Sequence, residues 1–160
     1  MLFRSAWVNK AAADRAHDIR YCVSCNTCWQ RISPDRSPIA CDNNPRVGLP
    51  DETDFRPQRA ALARRIVVVG AGPSGLEAAW VAAARGHDVT VLSRGNEVGG
   101  KLRLRAQLPG GESVSSVYDY QHAAALRAGC RFELGTSIDI DRVLSLKPDR
   151  KSTRLNSSHV

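Results

Sequence analysis

Four of the chain's five cysteines fall in the stretch CVSCNTCWQRISPDRSPIAC, with Cys22, Cys25 and Cys28 at two-residue spacing and Cys41 after twelve more residues. Nothing else in the chain limits its local fold so tightly. A short turn of irregular backbone can aim three soft thiolates at one point while a distant fourth closes the cage, so the pattern predicts an iron-sulfur centre on Cys22, Cys25, Cys28 and Cys41. Zinc is the rival, although structural zinc favours two separated cysteine pairs over a triple. Disulfides fit less well, because no apolar leader core follows Met1 and a reducing, cytoplasmic compartment is expected.

The chain of 160 residues carries a formal charge of +7. Much of that charge sits at the two ends. The opening MLFRS and the closing DRKSTRLNSSHV resemble translated adapter oligonucleotide: Phe3-Arg4-Ser5 written as TTC CGA TCT has the reverse complement AGATCGGAA, which one base on encodes Asp149-Arg150-Lys151. Residues 1–5 and 149–160 are therefore set aside as adapter-like. Without them four of 23 basic and one of 16 acidic residues are lost and the interior charge is +4. No basic run interleaved with aromatics points to nucleic acid, and no apolar stretch is long enough to cross a bilayer.

Asn9 is expected to cap a short helix over Lys10 to Ile19, with Ala12, Ala16 and Ile19 on one side. From Arg31 to Pro57 the prolines at 34, 38, 45, 50 and 57, with Gly48 and Asp42 to Asn44, predict neither helix nor strand. A loop of that length needs a tie, which a centre bound through Cys41 would supply. Residues 51–65 read as a linker with some helical turn.

The β-branched run Ile66 to Val69 then predicts a parallel strand buried on both faces. It leads into GAGPSG, a helix over LEAAWVAAAR and a second strand over Val89 to Leu92, which together make one right-handed βαβ unit. In that setting Gly70 permits the tight turn, Gly72 the close approach of a pyrophosphate, and Gly75 the packing of helix on strand. Pro73 and Ser74 open the helix whose free N–H groups and dipole favour an anion. Ala79 and Gly86 are small where the helix is expected to lie close to the sheet. At the end of the second strand stand Ser93 and Arg94, where an acidic residue commonly holds a ribose hydroxyl; the pair could instead accept a 2′-phosphate, which keeps NADPH open. Gly99, Gly100 and Lys101 could pass near a flavin nucleotide's phosphates. Ser115 to Arg127 reads as a helix, Cys130 to Leu134 as a third strand with Cys130 a core thiol, and Ile140 to Leu146 as a short helical turn.

The cysteine spacing, Asn44-Pro45-Arg46, VVVGAGPSGLEAA and NEVGGKL occur in an order that resembles the iron-sulfur flavoenzyme family of trimethylamine dehydrogenase and 2,4-dienoyl-CoA reductase, related at its barrel to old yellow enzyme. The resemblance implies an α/β chain: residues 6–20 end a missing FMN-bearing TIM barrel, 21–57 bind a 4Fe-4S cluster, 58–64 link, and 65–148 form a truncated Rossmann-like domain for FAD or ADP. The triple resembles the amine dehydrogenase branch, whereas Ser93 departs from both branches. It also implies a flavin- and iron-sulfur-dependent oxidoreductase passing electrons between FMN, cluster and nucleotide domain, with a small-molecule substrate at the barrel and an electron-transfer protein as a candidate partner. Two other readings stay open: a zinc-stabilised module joined to an NADP-binding domain, and an inactive truncated fragment. Tyr21 and Trp29 flank the cysteines and are expected either to shield the centre or simply to pack.

Overall fold

A computed structural model describes residues 6–33, 37–52 and 55–149. The adapter-like residues 1–5 and 150–160 lie outside the described residues. Helix α1 runs Ala6–Ala12, followed by a 3-10 turn over Ala16–Asp18. Asn9 lies inside α1, its carbonyl accepting the Ala13 N–H at 3.1 Å, so the predicted cap and start are corrected. The helix stops short of Ile19 because Asp14 takes a left-handed backbone at φ 55°, which ends an α-helical run.

Helix α2 covers Thr27–Ile32 and carries Cys28, where irregular backbone was expected. It starts after two left-handed residues, Ser24 and Asn26, that turn the chain sharply between Cys22 and Cys28. The loop beyond Cys41 has ties of its own. Asn44 Nδ2 donates to Glu52 Oε1 at 2.8 Å, Gly48 N–H to Glu52 Oε2 at 2.9 Å, and Arg46 pairs with Asp51 while lying 4.6 Å over the Phe55 ring. The Arg46 hydrogen bond holds the Asp51 carboxyl below its usual range. No helical turn forms in the described linker from 55 to 64.

Three parallel strands, β1 (Arg65–Val69), β2 (Asp88–Leu92) and β3 (Arg131–Glu133), form a sheet in the order β1-β2-β3. Between them run α3 (Pro73–Ala84), α4 (Lys101–Ala106) and α5 (Ser115–Arg127), and α6 (Ile140–Ser145) follows β3. Helices α3 and α5 pack on each other. The register aligns Ile66 with Val89 and Val68 with Val91, and these residues with Phe132 face Leu76, Ala79, Ala83 and Ala125 to make the core. Ala79 is fully buried, as its small size at the helix-sheet contact requires.

Two expectations change. Because β1 is the edge strand, it is only half-buried and Val69 is 58% exposed, so it is not covered on both faces. Gly86 has open space where a β-carbon would stand; its backbone at φ 92° turns the chain out of α3, and that conformation, not close packing, requires glycine. Asp149, at the adapter-like boundary, meets β1 in the fold: its N–H donates to the Arg65 carbonyl at 3.0 Å and its carboxylate accepts the Arg65 N–H at 2.7 Å.

Candidate functional site

The glycine turn is built at the carboxyl end of β1, where Gly70 N–H donates to the Leu92 carbonyl at 2.7 Å and Gly70 takes φ 102°. A β-carbon on Gly75 would stand 2.0 Å from the Gly70 carbonyl oxygen, so α3 can lie this close to the turn only with glycine there. A β-carbon on Gly72 would meet nothing within 4 Å. Gly72 therefore borders free space, in front of the α3 N-terminus opened by Pro73 and Ser74. The second glycine pair closes over this turn: Gly99 N–H donates to the Ala71 carbonyl at 2.7 Å, and a β-carbon on Gly100 would lie 3.2 Å from Gly72 Cα. Gly100, at φ 55° and ψ −137°, delivers the exposed Lys101 to the start of α4. Helix α4 was not foreseen in the sequence.

Ser93 is buried just past β2, its N–H held by the Glu133 carbonyl at 2.9 Å and its carbonyl by Thr136 N–H at 3.1 Å. Arg94 is exposed beside it. Gly70, Gly72, Pro73, Ser74, Gly75 and Gly100 are thus gathered into one cradle, with Ser93 and Arg94 at the end of the adjoining strand and Lys101 at its rim. Backbone N–H groups, a helix N-terminus and open space are the features by which a glycine turn of this kind can receive an anion.

Cys22, Cys25 and Cys28 are exposed and Cys41 is partly covered. Among the described residues no group of three or more histidine, cysteine, aspartate or glutamate side chains is close enough to hold a metal ion. The two parts of the cysteine stretch are nevertheless fastened together. Thr27 Oγ1 donates to Asp42 Oδ2 at 2.9 Å, joining the residue before Cys28 to the residue after Cys41. Buried Asn43 donates through Nδ2 to the Tyr21 carbonyl at 2.7 Å, joining the far side of Cys41 to the residue before Cys22. Two sulfurs accept backbone N–H groups, Cys22 Sγ from Ser24 at 3.4 Å and Cys41 Sγ from Asn44 at 3.3 Å. Trp29 and Tyr21 are both more than half exposed.

A seam of polar contacts, not foreseen in the sequence, joins this stretch to the nucleotide half. Arg20 donates to the Asn43 carbonyl at 2.7 Å and to both Glu77 oxygens on α3, at 3.0 and 3.3 Å, while lying 4.0 Å over the Tyr120 ring. Gln121 Nε2 donates to Glu77 Oε2 at 2.8 Å, and Tyr21 N–H to Ser116 Oγ at 3.0 Å. No spacing rule marks these residues, since each contact spans 22 residues or more of chain. Cys130 is outside this ensemble: its thiol is buried, reaches the Ala79 carbonyl at 3.4 Å, and is pushed up to about 11 by desolvation.

Residues 68–138 match the NAD(P)-binding Rossmann-like domain family. The chain is 34% identical over 142 residues to a probable N-methylproline demethylase of Rhizobium meliloti, covering 89% of this chain and 21% of that protein. It is 32% identical over 110 residues to dimethylamine dehydrogenase of a Hyphomicrobium species, covering 67% of this chain and 15% of that protein. The structure superposes on a 2-naphthoyl-CoA reductase with a TM-score of 0.79 at 32% identity, covering 89% of this chain and 22% of that one. The chain spans about a fifth of the length of the curated relatives it matches. Those relatives are oxidoreductases named as demethylases, dehydrogenases and reductases, and over most of its length this chain is their homologue, consistent with the iron-sulfur flavoenzyme family that its sequence resembles.

Proposed function

We propose that this chain is the part of a flavin-dependent oxidoreductase that carries a 4Fe-4S cluster on Cys22, Cys25, Cys28 and Cys41 next to an FAD- or ADP-binding domain, and that electrons pass between FMN on a preceding barrel, the cluster and the nucleotide domain. The observation that carries the reading is the double fastening of the cysteine stretch, Thr27 to Asp42 and Asn43 to Tyr21, which keeps Cys41 with the triple despite the long loop between them. A single tetrahedral zinc ion needs its sulfurs about 3.8 Å apart, given a Zn–S distance of about 2.3 Å. A polynuclear cluster gives each thiolate its own iron, and a triple of cysteines with a distant fourth is the ligand pattern it takes.

The donor set fits such a cluster. All four candidate ligands are thiols, and the N–H groups of Ser24 and Asn44 already point at two of them, the kind of contact that stabilises electron-rich sulfur. When bound, the cluster supplies one-electron transfer between two-electron partners. The chain's own residues hold it, orient it and link it to α3. In the cradle, Gly70, Gly72, Pro73, Ser74 and Gly75 would hold the pyrophosphate, with Gly100, Lys101, Ser93 and Arg94 as the further residues that would contact the nucleotide.

The preceding barrel would supply FMN and bind a small-molecule substrate, and an electron-transfer protein is the expected acceptor. No helix among the described residues is long and apolar enough to cross a membrane, and a cytoplasmic setting suits free thiols and a cluster. Cys28→Ser tests the reading. It should bleach the visible absorbance of the loaded protein and lower its iron content while leaving nucleotide binding intact. Unchanged iron in that variant would remove Cys28 from the ligand set.

A further inference from the structure

We propose that the Arg20–Glu77 ion pair tunes the reduction potential of the centre held by the four cysteines, Arg20 raising it and Glu77 lowering it, so that the potential is tied to the helix bearing the nucleotide cradle. The inference rests on the cluster reading above. Arg20 is two residues before Cys22, so their Cα atoms are at most about 7 Å apart. The same guanidinium donates to the carbonyl of Asn43, two residues past Cys41. The Arg20 backbone lies at one margin of the cysteine stretch and its side chain reaches the other.

Arginine keeps its charge at every working pH. Here that charge is also held in place. The side chain is 11% exposed, stacked on Tyr120, and bonded to Asn43 and both oxygens of Glu77. Glu77, 30% exposed, is fixed from its other side by Gln121. A centre that gains an electron gains negative charge, so a nearby fixed cation favours the reduced form and a nearby carboxylate opposes it. Glu77 sits in the second turn of α3, whose first turn opens the cradle, and is bonded to the Arg20 guanidinium. Its effect is opposite in sign and, being more exposed to water, smaller.

The test is a redox titration, followed by electron paramagnetic resonance and visible absorbance, of the cluster-loaded protein and its Arg20→Gln, Arg20→Lys, Glu77→Gln and Arg20→Gln/Glu77→Gln variants. At a fixed potential, R20Q should lower the reduced-to-oxidised ratio by about tenfold, a shift of about 59 mV for one electron. E77Q should raise the ratio by a smaller factor, R20K should stay near the wild type, and the double variant should fall between the singles. A purely structural seam would instead move both single variants in the same direction, or only lower their cluster content, and either result overturns the proposal. If R20Q fails to retain iron, E77Q decides alone: an upward shift supports the proposal, and an unchanged or lowered potential overturns it. A wild-type protein holding no iron or sulfide would overturn the cluster reading itself, and this inference with it.

Discussion

A β-carbon on Gly75 would lie 2.0 Å from the carbonyl oxygen of Gly70, whereas one on Gly72 would touch nothing within 4 Å. The two positions of one motif therefore serve different ends, the first allowing α3 to pack on the turn and the second leaving room for a ligand. Gly75→Ala should destabilise the nucleotide half by about 3 kcal/mol, because backbone cannot yield as a flexible side chain can. Gly72→Ala should unfold at the wild-type denaturant concentration but bind nucleotide more weakly. Equal stability for both variants, measured by chemical denaturation, would contradict this division.

Thr27 and Asp42 form the fastening nearest to Cys28 and Cys41, at 2.9 Å. Removing it with Thr27→Val costs about 1 kcal/mol of local order. The consequence is expected in the loaded protein, where iron should pass to a chelator several-fold faster than from the wild type. An unchanged release rate would show that the cysteine stretch does not depend on this bond.

Cys130 and the other cysteines should separate chemically. In cluster-free protein an alkylating reagent at neutral pH should modify the exposed Cys22, Cys25 and Cys28 and leave Cys130 intact, since a buried thiol raised to about 11 has almost no thiolate. Mass spectrometry after brief labelling reads the pattern. Early labelling of Cys130 would contradict its place under α3.

His122 packs edge-on against Phe132 with ring centroids 4.9 Å apart, and burial lowers its pKa below the ordinary 6.5 despite the opposing charge of Asp119. The unfolded chain then takes up a proton before the folded one does. Stability from this site is therefore full above pH 6.5 and declines as pH falls below it, until the folded imidazole protonates too. The denaturation midpoint should drop more between pH 7.5 and 5.5 in the wild type than in His122→Gln. Parallel losses would contradict the assignment.

The βαβ unit could be read from the sequence because its signals are local. A β-branched run, glycines at fixed offsets and an alanine-rich helix each act within a few residues, and α5 fell at Ser115–Arg127 as expected. Burial of β1 on both faces was misjudged because exposure depends on which strand lies beside it, and sequence does not carry strand order. Helix α1 was misplaced because a cap residue such as Asn9 is equally at home on an exposed helical face. The seam of Arg20, Asn43, Glu77, Ser116 and Gln121 escaped notice for a different reason. It is made of single polar residues far apart in the chain, whose pairing only the folded backbone defines.

Cys22, Cys25, Cys28 and Cys41 are proposed to hold one iron-sulfur cluster beside the glycine cradle. Chemical analysis of iron and acid-labile sulfide, on protein prepared or reconstituted without oxygen, decides this. A brown protein with about four iron and four sulfide per chain is expected, both lost on Cys41→Ser. A colourless protein with zinc and no sulfide, still able to bind nucleotide, would contradict it.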